Sequence, residues 1–404
     1  MVVVAAINVG ASGPRIDFVK YNGAVYQLNA KDRIKISRGV TEQSGFIGAL
    51  KDGLSGRDYD IVSIGAAGPV KDGPDRFAAV SSFLTKVCDV SNMRCHIDQA
   101  EVEHELGKKT FLCNDMPPMI AGADIVRQLE PDSTFVVQEG LEIKPTGGRI
   151  VVAPGTGLGY GHSLSNGQIE LIGPSEGGHD PYASSNSKPT TEIEELLFAY
   201  MKHKYPDTEL ITQEMVLKGE GIVDILEFLR DVTCHKTDFR ITPATPKLIL
   251  ELLKQDDIPD GVEKYLSSPE TDKGAYISLV ANGKGVMHCV VAQALWERLL
   301  GLYVGHKLQT DMPTRGAFLG GTPINKLGNR LVEKKPNLEP FTFMGGLHTR
   351  ENDSYRRLVD EYPIYGQLDD RGFAYGLARL ALTKFEHISS GYVSSVNDIP
   401  VEVV

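Results

Sequence analysis

The chain has 404 residues, of which 41% are hydrophobic and 24% charged, so it is long enough for two or three domains with sizeable cores. Its 42 Gly and 22 Pro follow no period, which excludes collagen-like and low-complexity classes. With 42 Lys and Arg against 53 Asp and Glu, the formal net charge is −11, a poor basis for binding a phosphate backbone or an anionic membrane.

Residues 2–9 are β-branched or Ala apart from Asn8 and predict a buried strand. The run is too short for a membrane span or a signal segment and carries no basic flank. A turn follows at Gly10-Ala11-Ser12-Gly13-Pro14, and the alternating polarity of residues 15–20 predicts a second strand. Asn22-Gly23 predicts a type I′ hairpin, with both residues at positive φ, leading to a third strand over residues 24–28. The same unit recurs: a strand over 149–153, a glycine-rich turn over 154–159, a strand over 160–165, Asn166-Gly167, and a strand over 168–172. This spacing predicts one β-meander present twice, hence two related domains.

Short apolar strands are expected at 61–65, 110–113 and 317–320, each followed by Gly, Pro, Asn or Asp. Helices are expected at 119–129, 193–203, 221–231, 286–308 and 324–332. Residues 234–275 are polar and Pro-containing and suggest a helical surface excursion; the tail after 388 shows no clear period. The five cysteines, Cys88, Cys95, Cys113, Cys234 and Cys289, are odd in number and contain no CxxC pair. A reducing compartment, the cytoplasm, fits them better than a disulfide framework or a zinc knuckle.

Four segments could carry chemistry. Gly155-Thr156-Gly157-Leu158-Gly159 lets backbone N–H groups approach a phosphate, although a plain tight hairpin would use the same glycines. A dinucleotide fold needs a helix after such a turn, and a Walker loop needs Gly-Lys-Ser/Thr; neither condition is met. Asn114-Asp115, between a strand and Pro117-Pro118, reads either as a helix cap or as a general base at a strand's C-terminal end. Glu176-Gly177-Gly178-His179 offers an acceptor and a donor suited to sugar hydroxyls, or is a surface loop. Gly320-Gly321-Thr322-Pro323 is a nucleotide platform or a strand-to-helix turn.

In this order the segments resemble the bacterial-type glucokinase family, over about residues 3–384. Asn8–Arg15 is similar to its first phosphate loop and 155–159 to its second, with His162 on the strand that follows. Ala67-Gly68-Pro69-Val70 and the closing helix over 370–382 also fit. The resemblance implies an α/β fold of two ribonuclease-H-like domains of the actin and hexokinase type, each a mixed sheet flanked by helices, with a cleft between them. The domains would be 1–116 with 370–404, and 117–369. It implies transfer of the γ-phosphate of ATP, with Mg²⁺, to the 6-hydroxyl of a hexose, glucose first. Asp115 would be the catalytic base, and Asn114, Glu176, His179 and Glu214 would hold the sugar. Asn8, Gly10, Ala11, Ser12, Gly13, Gly155, Thr156, Gly157, Gly320, Gly321 and Thr322 would hold the nucleotide, with Asn8 near the metal.

The implied partners are a small sugar and ATP, with no nucleic acid and no membrane; a homodimer is compatible. A repressor of the related superfamily would need a DNA-binding helix pair ahead of residue 2. Three departures from the family leave room for an impaired sensor or a different sugar: Asn8 in place of a carboxylate, Ala11-Ser12 in place of Gly-Thr, and no Thr-Asn motif near 80–83.

Overall fold

Two Asn-Gly turns fold the chain into the same unit twice. At the first, Asn22 Oδ1 accepts from the N–H groups of Ala24 and Val25 at 3.0 and 2.8 Å. At the second, Asn166 Oδ1 accepts from Gln168 and Ile169, both at 2.9 Å. Gly23 and Gly167 take positive φ, 97° and 87°, while neither Asn does. These are therefore not the predicted type I′ turns. The Asn side chain closes the loop by bonding backbone two and three residues on, so only glycine enters the left-handed region.

The computed structural model describes residues 1–10, 13–36, 43–68, 70–72, 86–90, 95–173, 175–182, 191–234, 253, 273–283, 286–333, 335–349, 353–385 and 401–403. The expected sites Ala11 and Ser12, the 80–83 region and most of the 234–275 excursion lie outside them. The first part contributes β1 (Val2–Val9), β2 (Arg15–Tyr21), β3 (Tyr26–Leu28), β4 (Ile34–Lys35), β5 (Ile61–Ala66), β6 (Val70–Asp72), β7 (Lys86–Val90), β8 (Cys95–Asp98) and β9 (Lys109–Asn114). The second contributes β10 (Thr134–Gln138), β11 (Thr146–Pro154), β12 (Leu158–Asn166), β13 (Glu170–Gly173), β14 (Ala317–Leu319), β15 (Ile364–Gln367) and β16 (Val401–Val403).

The first sheet runs β3-β2-β1-β5-β9, with β4 on β2; the second contains β13-β12-β11-β14-β15, flanked by β16 and β10. In both, the meander is antiparallel and the next two strands run parallel to its first strand. One topology is thus built twice. A small third sheet, β6-β7-β8, is an addition to the first copy. The strand β16 pairs with β13. This strand lies in the 370–404 segment expected with the first unit, and its pairing is with the second sheet.

In each copy the last parallel strand feeds a helix, Met116–Leu129 after β9 and Arg371–Lys384 after β15. These two helices lie between the sheets, in a core shared by Val4 and Val19 of one sheet and Val151 and Phe318 of the other. They cross at glycines: a side chain on Gly122 would collide with the Gly372 carbonyl, and one on Gly376 with that of Pro118. Helix Gln43–Leu54 covers the outer face of the first sheet. Helices Thr191–Lys204, Gly221–Cys234 and Met287–Asp311 cover the second.

The second copy also buries charge. Arg149, Arg315, Arg379, Asp124 and Glu170 are all 0% exposed. Arg149 pairs with Asp124 and Glu170, Arg315 with both acids, and Arg379 with Glu170. Burial alone would raise the Glu170 pKa, but the three guanidiniums hold it down to about 2.

Candidate active site

The site grows from the C-terminal ends of parallel strands, where such sheets leave room for ligands. In the first sheet Asn8 is level with Gly65, and Ala66 with Asn114. Strands lie about 4.8 Å apart, so the ends of β1 and β9 are roughly 10 Å apart across β5. The turn after β5 bridges them. The Ala67 N–H donates to the Val9 carbonyl at 3.0 Å, and Asn114 Nδ2 donates to the Gly68 carbonyl at 2.9 Å. After β1 the chain turns back through a Gly13 N–H bond to the Gly10 carbonyl at 2.9 Å. The Asn8 Oδ1 faces this turn, 3.8 Å from where a Cβ on Gly10 would stand.

Asn114 and Asp115 differ in how they meet the helix start. Asn114 Oδ1 accepts from the Met116 N–H at 2.9 Å and so caps the helix. The Asp115 side chain makes no cap bond. Among the described residues no cation pairs with it. Burial raises the Asp115 pKa to about 6, and the negative charge of Glu176 adds to the shift. That places a carboxylate able to accept a proton near neutral pH at the mouth of the strand ends.

The second glycine turn lies against this corner. A Cβ on Gly159 would come 2.5 Å from the sulfur of Met116, the residue after Asp115. The turn closes with the Gly155 N–H on the Gly157 carbonyl at 2.7 Å and is tied outward by the Gly219 N–H on the Gly155 carbonyl, also 2.7 Å. Thr156 is exposed at its tip. Glu214, expected at the sugar, accepts from the Leu158 N–H at 3.0 Å and stands 2.7 Å from where a Gly157 Cβ would be. Its carboxylate therefore orders the turn. Gly320 donates to the Val152 carbonyl at 2.9 Å, and Gly321, at φ 85°, leaves no room for a side chain beside the Pro154 carbonyl. Thr322 then opens a short helix.

Glu176 and His179 sit on a single-turn loop beside these elements. Their side chains are 81% and 61% exposed and approach each other at 3.4 Å. The structure thus brings together Asn114, Asp115, Glu176, His179, Glu214, the 155–157 turn and the 320–322 turn, while Asn8 and Gly10 border them across β5. His162 lies farther along β12, exposed and against Gly173. Sequence reasoning missed the residues behind the Glu176 loop: Tyr160, Asp180, Tyr303 and Lys307. One signal was available. The apolar residues of helix 287–311 are spread round the whole helix, so a lysine within it falls on a buried face and requires a partner.

Among the described residues no helix is long and apolar enough to cross a membrane, and no cluster of three or more metal-binding side chains occurs.

The glucokinase family profile matches residues 47–342. The chain is similar to the glucokinase of Nostoc punctiforme, 27% identical over 290 residues covering 72% of this chain and 76% of that one. It is 30% identical to the glucokinase of a second Nostoc species over 306 residues, 76% of this chain and 80% of the relative. Among solved structures, a glucokinase from an Antarctic psychrotroph gives a TM-score of 0.65 at 16% identity, covering 94% and 98% of the two chains. The Balamuthia mandrillaris glucokinase in complex with glucose gives 0.64 at 15% identity over 93% and 92%. A glucokinase of the ROK family from Streptomyces griseus, in complex with glucose and AMPPNP, gives 0.54 at 18% identity over 94% and 99%. The chain belongs to the glucokinase family and has the two-unit α/β fold that the resemblance implied.

Proposed function

We propose that this glucokinase-family chain is an ATP-dependent sugar kinase that transfers the γ-phosphate of MgATP to the 6-hydroxyl of glucose, with Asp115 as the proton acceptor. The observation that carries the assignment of Asp115 is its freedom from the capping bond. Asn114 caps the helix, and burial, with the Glu176 charge, raises the Asp115 pKa to about 6.

Glu176 and His179 would bind sugar hydroxyls, and Asn114 would hold the 67–68 turn beside them. The turn at 155–157, ordered by Glu214, would cradle the phosphates through backbone N–H groups. The Gly10–Gly13 turn would face it from the first sheet, and Gly320–Thr322 would support the adenosine. Asn8 supplies a neutral oxygen where a carboxylate would give more charge, so it fits magnesium as a weak ligand to a cation held mainly by the phosphates. Magnesium, when bound, neutralises phosphate charge; the residues of the chain position the hydroxyl and accept its proton. Closure of the two halves would exclude water.

The halves are residues 1–116 with the helix of the C-terminal segment, and 117–369 with β16. Cys113 and Cys289 are buried and held in no disulfide, which supports a cytoplasmic setting. The test is a coupled assay of the purified chain with MgATP and a panel of hexoses. Glucose-dependent ADP release with formation of a 6-phosphate is expected. Hexose binding without ADP release would mean a sensor instead.

A further inference from the structure

Behind the Glu176–His179 loop stands a cation that the acceptor-site residues do not explain. The Lys307 side chain, near the end of helix 287–311, is 11% exposed. Its ammonium donates to the Asp180 carboxylate at 2.6 Å. It also lies 4.3 Å from the centre of the Tyr160 ring and 5.6 Å from that of Tyr303. Both rings are fixed in turn. The Tyr303 hydroxyl donates to the Gly177 carbonyl at 2.8 Å, and the Tyr160 hydroxyl bonds the Asp311 carboxylate. The loop backbone is pressed onto this group, because a Cβ on Gly177 would stand 2.5 Å from the Tyr160 ring and 3.2 Å from Lys307 Nζ.

A nearly buried ammonium is costly to desolvate, and a carboxylate with two aromatic faces offsets that cost only in a fixed geometry. Lys307 thereby joins two parts of the site. Asp180 is the residue after His179, and Tyr160 is the residue after Gly159 of the glycine turn. Glu176 and His179 are themselves exposed and stand on a loop with two glycines, which would wander without such an anchor.

We propose that Lys307, acting with Asp180, is a positioning residue for the acceptor sugar. It fixes the Glu176–His179 loop against β12, so that both side chains are in place before the sugar arrives. The proposal rests on the kinase reading above. Ordering the loop in advance removes a cost that sugar binding would otherwise meet, so the effect falls on sugar affinity.

Lys307→Met keeps the stem and loses the charge. Its glucose Kd by calorimetry, and glucose KM with it, should rise roughly tenfold, with kcat and the ATP KM within about twofold. Asp180→Asn should show the same split, and the double variant should be no worse than either single one, as expected for a pair acting as a unit. A purely structural role would instead lower the melting temperature and change both KM values together. That result, or an unchanged glucose Kd in a folded variant, overturns the proposal. Should Lys307→Met not fold, the partly exposed Asp180→Asn carries the same test alone. A wild-type chain that neither binds nor phosphorylates glucose overturns the kinase reading itself.

Discussion

The corner after β9 and the corner after β15 share one backbone plan and end in different surroundings. In each, the first residue of an Asx-Asp pair accepts the N–H two positions on: Asn114 from Met116 at 2.9 Å, and Asp369 from Arg371 at 3.0 Å. In each, the second carboxylate makes no cap bond. Asp370 is then clamped by Arg15 and Arg33, which in turn bonds Asp17. Asp115 has no cation partner among the described residues and is buried within reach of the Glu176 charge. The same contrast, reversed, holds for the faces behind these corners. The first copy presents Val4, Val19 and Tyr26 to the core, and the second presents Arg149, Ser163 and Glu170 at the equivalent positions of its meander. The duplicated backbone supplies a position, and the neighbours decide whether the carboxylate there is clamped by arginines or, among the described residues, left without a cation.

Exchanging the two aspartates for alanine tests this most strongly. Asp115→Ala should lower kcat for glucose roughly 10²–10⁴-fold with folding retained, the range for loss of a general base. Asp370→Ala should keep kcat within a few-fold and cost about 1 kcal/mol of stability, since its ion pairs are partly exposed. Equal losses of kcat in the two variants would erase the distinction between the corners.

The polar face should be the more fragile one. Glu170→Gln removes the carboxylate that all three buried guanidiniums share and should cost about 3 kcal/mol, read as a fall in melting temperature. The sign follows from the depressed folded pKa of about 2 against 4.5 for the free group. The stabilisation is complete above pH 4.5 and fades as pH falls toward 2, so the wild type should lose its advantage over Glu170→Gln in that window. Tyr26→Phe, at the matching place in the apolar copy, should cost far less.

Much of this plan was legible in the sequence because it is local. Strand alternation, the paired Asn-Gly turns and Pro after Asn114-Asp115 located both meanders and the first corner. The turn type was not legible, since the Asn side chains bond backbone and never need positive φ. Nor were the long-range partners. Arg149, Arg315 and Arg379 meet Glu170 from three separate elements, and charged residues read one at a time predict surface. Lys307 meets Asp180 across 127 positions, and Arg15 meets Asp370 across 355. At Asp369-Asp370 nothing local distinguishes a carboxylate clamped by distant arginines from one without them.

The most direct measurement is the pH profile of kcat/KM for glucose in the wild-type chain at saturating MgATP. A proton acceptor with its pKa raised to about 6 must be ionised to work, so activity should fall below pH 6 along a single acid limb. Removing the neighbouring charge with Glu176→Gln should move that limb to lower pH. A profile flat from pH 5 to 8 would contradict the assignment of Asp115.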